Sequence, residues 1–220
     1  MSSTLRLIVF DLDGTLVDSR LDIAESANAV LVACGARPLD PHAVGRMVGD
    51  GAAALVARAF AAAGVPPPPD ALDRFLAIYD TRLLTHTRPY EGIPQVLGEL
   101  GTRASLAVLT NKPLDATRRI LDGLDLARYF PAEAILGGDG PFPRKPDPAG
   151  LRHLSARVGV SAAETLLVGD SAIDWRTGRN AATKVCLVRY GFGFEGFAFG
   201  GESECKDCVV VDTLDELLRL

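Results

Sequence analysis

The sequence is short of the residues that specialised scaffolds rely on. Its 220 residues include four cysteines, two methionines and one tryptophan, and aromatic side chains make up 6%. Four cysteines do not make a disulfide-dense scaffold in a chain of this length. Cys34 and Cys186 stand in apolar stretches and read as buried thiols. Cys205 and Cys208 form a lone C-x-x-C with no second pair to complete a four-ligand zinc site. No apolar run approaches the roughly 18 residues that a membrane span requires, so no membrane partner is expected. The first residues carry no basic stretch, long apolar segment and cleavage site in succession, so the expected location is cytoplasmic. Charge is mixed, with a net of −5 and a pI near 5.2. Without a basic block, nucleic acid is not an expected partner. No repeat of solenoid period is present. Neither the P-loop nor the dinucleotide-binding glycine pattern follows the first apolar run.

What is present begins near the start. An apolar run over 5–10 ends abruptly in Asp11-Leu12-Asp13-Gly14-Thr15. This predicts a buried strand that delivers carboxylates to the carboxyl edge of a sheet. In open α/β sheets that edge is where ligands bind. Asp11 and Asp13 are close enough to repel, so one must be neutral or both must share a cation. The plainer reading of such a stretch alone is an Asx turn closing a strand.

From 18 to 86 the pattern is helical, with no convincing strand. Ser19 is expected to cap a helix that runs to about Cys34 and stops at Gly35. Asp40-Pro41 starts a second helix, Ala52 to Ala63 a third, and a fourth spans about 70–85 after the stiff run Pro66-Pro67-Pro68-Pro69. Beyond this insert, apolar runs ending at Leu109, Leu136, Gly169, Val188 and Val211 alternate with helical segments. Alternation of this kind predicts an α/β fold, a doubly wound, Rossmann-like parallel sheet. The core is expected from residues 1–17 and 87–220, and 18–86 as a small inserted α-helical domain. The alternating glycines and phenylalanines of 190–197 read as a tight loop that tucks its rings against the domain edge.

Three strand ends then deliver polar groups: Asp11 and Asp13, Thr110 and Asn111, and Asp170 and Asp174. A loop adds Lys145. Carboxylates, a hydroxyl, an amide and a lysine at one edge resemble a metal-assisted phosphate site. Mg²⁺ takes a few oxygen ligands together with substrate phosphate, and Lys145, Thr110 and Asn111 can donate to a phosphoryl group. A screened carboxylate is a competent nucleophile toward phosphorus. Taken singly, Lys145 could be a surface lysine and Thr110 a helix cap; the ordered set is what carries the reading.

The motifs Asp11-Leu12-Asp13-Gly14-Thr15, Leu109-Thr110-Asn111-Lys112, Arg144-Lys145-Pro146-Asp147-Pro148 and Gly169-Asp170-Ser171-Ala172-Ile173-Asp174 stand in an order that resembles the haloacid dehalogenase superfamily, in its phosphoglycolate phosphatase-like branch. The helical insert resembles that family's cap domain. The resemblance implies a small phosphorylated metabolite as substrate. It implies Asp11 as the nucleophile that becomes an aspartyl phosphate, and Asp13 as acid and then base. It implies Mg²⁺ on Asp11, Asp170 and the Asp13 carbonyl, with Asp174 supporting the metal or orienting Lys145. Thr110, Asn111 and Lys145 would hold the phosphoryl group. The cap segment Gly49, Asp50, Gly51 and Arg58 would contact substrate, with Arg58 reaching a substrate carboxylate. The plainer reading of Arg58 is a structural arginine packed along its helix.

Other readings remain open at this level. A sugar-phosphate mutase or a pyrophosphatase of the same superfamily would carry both acids, and a non-catalytic phosphate-binding module could use the same sheet. A dehalogenase would lack Asp13. A phosphonate hydrolase needs a cap lysine, and 18–86 contain none. The chain departs from the family pattern after the fourth motif, where Thr183 stands in place of the usual glycine and Gly178 lies inside the helix.

Overall fold

The computed structural model describes residues 4–194 and 208–219. Cys205 and the 195–197 part of the glycine–phenylalanine segment lie outside the described residues. Strand β1 (Leu7–Phe10) is the centre of a six-stranded parallel sheet, with β4 (Ser105–Leu109) on one side and β6 (Thr165–Gly169) on the other. Beyond β4 lies β5 (Ile135–Leu136); beyond β6 lie β7 (Lys184–Val188) and β8 (Cys208–Val211). The order is therefore β5-β4-β1-β6-β7-β8. Sequence progression turns back at β1, which makes its carboxyl end the switch point of the sheet.

Every residue of β1 is buried. Leu7 and Val9 pack into one core with Leu109, Leu151, Leu154 and Leu167. Ile8 and Phe10 face a larger one with Val108, Ile120 and Val168. Alternate side chains point to opposite faces, so a strand covered by helices on both sides must be apolar throughout. Helices α5 (Ile93–Leu100), α6 (Leu114–Gly123), α7 (Ala149–Val158) and α8 (Ala172–Ala181) complete the layers.

Between β1 and β4 the chain makes a short antiparallel pair, β2 (Val17–Asp18) with β3 (Arg88–Pro89). Four helices lie between these two strands: α1 (Arg20–Ala33), α2 (Pro41–Gly45), α3 (Ala52–Ala63) and α4 (Ala71–Asp80). Asp40 caps α2 as expected, its Oδ1 accepting from the His42 and Ala43 N–H groups. The fourth helix is shorter than its pattern suggests and gives way to turns after Asp80. Ser19 precedes α1 but does not cap it with its side chain; its hydroxyl is used elsewhere, as described below. After β8 a 3₁₀ segment spans Leu214–Arg219.

One buried acid fastens this arrangement. Asp22 on α1 is fully buried and accepts from the His86 N–H, the Thr87 N–H and the Thr87 hydroxyl, the last two at 2.8 Å. It thereby fastens the returning chain just before β3. At the atypical end of α8, exposed Ala182 adopts φ +58°, where a glycine is ordinarily found,. Gly178 inside the helix has a separate cause. A Cβ there would stand 2.2 Å from Val185 Cγ2, so α8 could not lie against β7. Cys186 is buried and Cys34 half-buried, both as free thiols, and Cys208 opens β8.

Asp22→Ala is expected to lower stability by about 3 kcal/mol, because three donors, two of them buried, lose their acceptor,. Urea unfolding checks this; a loss below about 1 kcal/mol would mean that water replaces the carboxylate.

Candidate active site

Three neighbouring strands, β4, β1 and β6, end at one place. Past β1 the backbone turns back at once: the Leu16 and Val17 N–H groups donate to the Leu12 carbonyl, and the Gly14 N–H donates to Val17 O. Gly14 carries φ +82°, and a Cβ on it would fall 2.0 Å from Asp170 Oδ2. The first turn and the end of β6 therefore touch only because position 14 has no side chain.

Asp11 Oδ1 accepts from the Leu12 N–H at 2.7 Å and lies 2.9 Å from Lys145 Nζ. Lys145 Nζ also donates to Asp174 Oδ1 at 2.6 Å. Asp174 is fully buried, and its Oδ2 accepts from the Ser171 hydroxyl and N–H, so both of its oxygens are engaged. Asp170 Oδ2 accepts from the Gly193 N–H at 2.8 Å. Oxygens of Asp11, Asp170 and Asp174 lie within 4.8 Å of one another, all buried.

Asp13 is the fourth acid. Its Oδ1 accepts from the Ser19 hydroxyl at 2.5 Å, and its Oδ2 lies 2.9 Å from Lys112 Nζ. Lys112 Nζ also donates to Tyr79 Oη of α4 at 2.8 Å. Ser19, expected as a helix cap, is thus a partner of Asp13: its side chain turns toward the sheet edge, and Asp18 Oδ1 takes the nearby Arg20 N–H instead.

Burial and like charge set the electrostatics. Burial pushes Asp11 up to about 6; Lys145 opposes this, while Asp174 and Asp13 add to it. Burial, then Asp174 and Asp11, hold Asp170 well above the usual carboxylate range. Burial alone would pull both lysines down. Asp11 and Asp174 more than offset this for Lys145, and Asp13 and Tyr79 do so for Lys112, so each ends above its ordinary value. Four carboxylates here face two ammonium groups, and a divalent cation would balance the remainder. The donor set is all oxygen, buried and anionic, which fits a hard cation.

The other expected residues separate into two groups. Thr110 and Asn111 are buried at the end of β4. The Asn111 side chain is fully committed: its amide donates to Gly49 O and Lys145 O, and its Oδ1 accepts from the Lys145 N–H. It ties the insert to the loop that carries Lys145. Gly49 and Gly51 line a cavity of about 240 Å³ over the acids, whose walls include Leu55, Phe75 and Leu76 of the insert. Asp50 and Arg58 do not line it. They pair with each other on the surface, and Arg58 also donates to Met47 O at 2.9 Å. Arg58, expected to reach a substrate carboxylate, is turned in this structure toward the loop before α3 and away from the cavity.

A family model for haloacid dehalogenase-like hydrolases matches residues 8–188. The chain belongs to the haloacid dehalogenase-like hydrolases. It is 43% identical over 202 residues to a phosphoglycolate phosphatase of Rhodospirillum rubrum, covering 88% of this chain and 83% of that one. It is 33% identical over 190 residues to an N-acetylmuramic acid 6-phosphate phosphatase of Pseudomonas aeruginosa, covering 86% and 83%. Among solved structures, one described as a predicted phosphoglycolate phosphatase from Haemophilus somnus superposes with a TM-score of 0.87 at 28% identity, covering 99% of this chain and 98% of that one.

The hydrolase site also includes residues that the sequence did not single out. Lys112 ends the stretch Leu109-Thr110-Asn111-Lys112, and nothing in its sequence position distinguishes it from a surface lysine. Tyr79 follows Phe75 by four residues and stacks on it, a spacing indistinguishable from helix core,. Phe192 is buried, as a tucked ring should be, but it lines the cavity, and Gly193 next to it donates to Asp170. Among the described residues, no helix is long and apolar enough to cross a membrane.

Gly14→Ala is expected to cost about 2 kcal/mol, from the left-handed backbone and the displaced Asp170. Thermal and urea unfolding of the variant measure it; unchanged stability would show that Asp170 moves freely.

Proposed function

We propose that this hydrolase is a Mg²⁺-dependent phosphatase that acts through an aspartyl phosphate on 2-phosphoglycolate or a similarly small phosphorylated metabolite. The observation that carries the proposal is Asp11, buried at the cavity floor with Lys145 on one oxygen and Asp170 alongside. The relatives named above support the reaction class, and both of their names denote phosphate esters that also bear a carboxylic acid.

Asp11 and Asp170, with the Asp13 carbonyl, would hold Mg²⁺; the ion would neutralise negative charge on the phosphoryl oxygens. Both bonds that Asp11 makes fall on Oδ1, which leaves Oδ2 to attack phosphorus. The bond to the leaving oxygen breaks with its electron pair, and Asp13 supplies the proton. Asp13, now a carboxylate, takes a proton from water as that water attacks phosphorus and releases Asp11. Lys145 steadies the phosphoryl group and is itself held by Asp174. Thr110 donates its hydroxyl. Asn111 can contribute only its backbone N–H, because its side chain is occupied. Residues 1–17 and 87–220 act as the catalytic core, and 18–86 act as a cap, closing on the linkers around β2 and β3 to exclude water.

Two measurements test this. Rapid quench with a ³²P-labelled ester should trap label on the wild-type protein and none on Asp11→Asn; label retained by the variant would place the nucleophile elsewhere. Mg²⁺ binding, followed by calorimetry, should weaken as pH falls through about 6, where Asp11 takes up a proton, because the metal needs the ionised carboxylate. Below that point the apparent Kd should rise about tenfold per pH unit. Affinity that does not vary between pH 5 and 8 would remove Asp11 from the metal site.

A further inference from the structure

The charged groups lining the cavity are acidic with one exception. Asp11, Asp13, Asp80, Asp115 and Asp170 all reach it, and among the described lining residues Lys112 is the single cation. Lys145 is held by Asp11 and Asp174, and Arg58 is turned to the surface. Of the lining side chains, Lys112 alone therefore offers a full positive charge to a second anion on the substrate, and an anion left unpaired among carboxylates and hydrocarbon is costly,.

Lys112 is built for that contact. It is buried just past the end of β4, and its ammonium has three donors,. One goes to Asp13 and one to Tyr79 of the insert, which leaves a third for a ligand. The Tyr79 ring also stands 4.6 Å from the ammonium, a distance at which its π-face attracts the charge,. The cation thus lies where core, insert and cavity meet, one residue pair away from the acid that serves the leaving group.

Resting on the phosphatase reading above, we propose that Lys112 recognises a carboxylate on the substrate, so that the enzyme selects phosphate monoesters of hydroxy acids over those of neutral alcohols. The same contact links recognition to chemistry. In the structure Lys112 occupies Asp13 Oδ2. A substrate carboxylate draws Lys112 toward itself and frees that oxygen, which takes up a proton from water in the cavity and passes it to the leaving oxygen. An ester without the acid leaves Asp13 clamped between Ser19 and Lys112, so it loses kcat as well as affinity. Tyr79 is a positioning residue in this scheme, because it holds the ammonium at the cavity wall when the insert is in place.

The test compares 2-phosphoglycolate with ethyl phosphate, which has the same carbon count and a neutral end, on the wild type, Lys112→Met and Tyr79→Phe. Wild type should prefer the acid in kcat/KM by on the order of 100-fold, as expected when a buried polar group loses its partner. In Lys112→Met the preference should collapse to within about threefold of unity, with the larger loss on 2-phosphoglycolate. Tyr79→Phe, which keeps the ring, should narrow it by about tenfold or less. Equal losses on both esters would reduce Lys112 to support for Asp13 and overturn the inference. A wild type that does not prefer the acid would overturn it even if Lys112→Met fails to fold. Wild type that hydrolyses neither ester would instead overturn the phosphatase reading, and the inference with it.

Discussion

Four buried carboxylates at the end of one sheet repel each other, and the local structure is the answer to that repulsion. At 4 Å and an effective dielectric constant near 20, each pair costs about 4 kcal/mol. Lys145 bridges Asp11 and Asp174, Lys112 meets Asp13, Ser171 and Ser19 each donate a hydroxyl, and the Gly193 backbone donates to Asp170. The lysines are held strongly charged by the acids around them, so each is a fixed positive pole. The carboxylates outnumber the lysines by two, and a divalent cation beside Asp11 and Asp170 would balance them,.

The fold makes this crowding possible because parallel strands all end at the same edge. β4, β1 and β6 are neighbours, so residues about 100 and 60 positions apart in sequence arrive side by side. The close approaches are bought by absent side chains at Gly14 and Gly191, where a Cβ would meet Asp170 at 2.0 and 2.2 Å. The helical insert contributes from above. Asn111 binds Gly49 of the insert, Tyr79 binds Lys112, and Arg119 of α6 pairs with Asp80 of α4. Fastening by Asp22 sets where the insert re-enters the core, so a buried acid remote from the chemistry shapes the cavity wall.

The two basic residues that could meet a second anion illustrate how charge and position differ. Arg58 sits on a helix of the insert, in a segment whose pattern suggests substrate contact, yet its guanidinium has a closer demand from Asp50 and the Met47 carbonyl. Lys112 follows a core strand and reads in sequence as the tail of a phosphate-binding motif. Its Nζ reaches the cavity because the backbone of 110–112 turns over the sheet edge, with the Lys112 N–H donating to Thr110 Oγ1.

The six strands of the main sheet, the helical insert between β1 and β4, and the arrival of Asp11, Thr110 and Asp170 at one sheet edge were determined by the sequence alone, whereas the β2–β3 pair was not legible in it. Hydrophobic periodicity is a local property, and polar residues at the ends of apolar runs must gather wherever parallel strands end. The partners of those residues were decided only by the tertiary structure. Ser19 was legible as a cap and Asn111 as a phosphate donor, while nothing in the sequence marked Tyr79 or Asp22. Each is instead committed to a group more than five positions away, and side-chain reach across elements leaves no periodic trace in the chain. The helix end at Ala182 and the shortened fourth helix belong to the same class. Propensity there yields to packing, because the loss of one good local conformation is small beside the burial that the neighbouring strand provides.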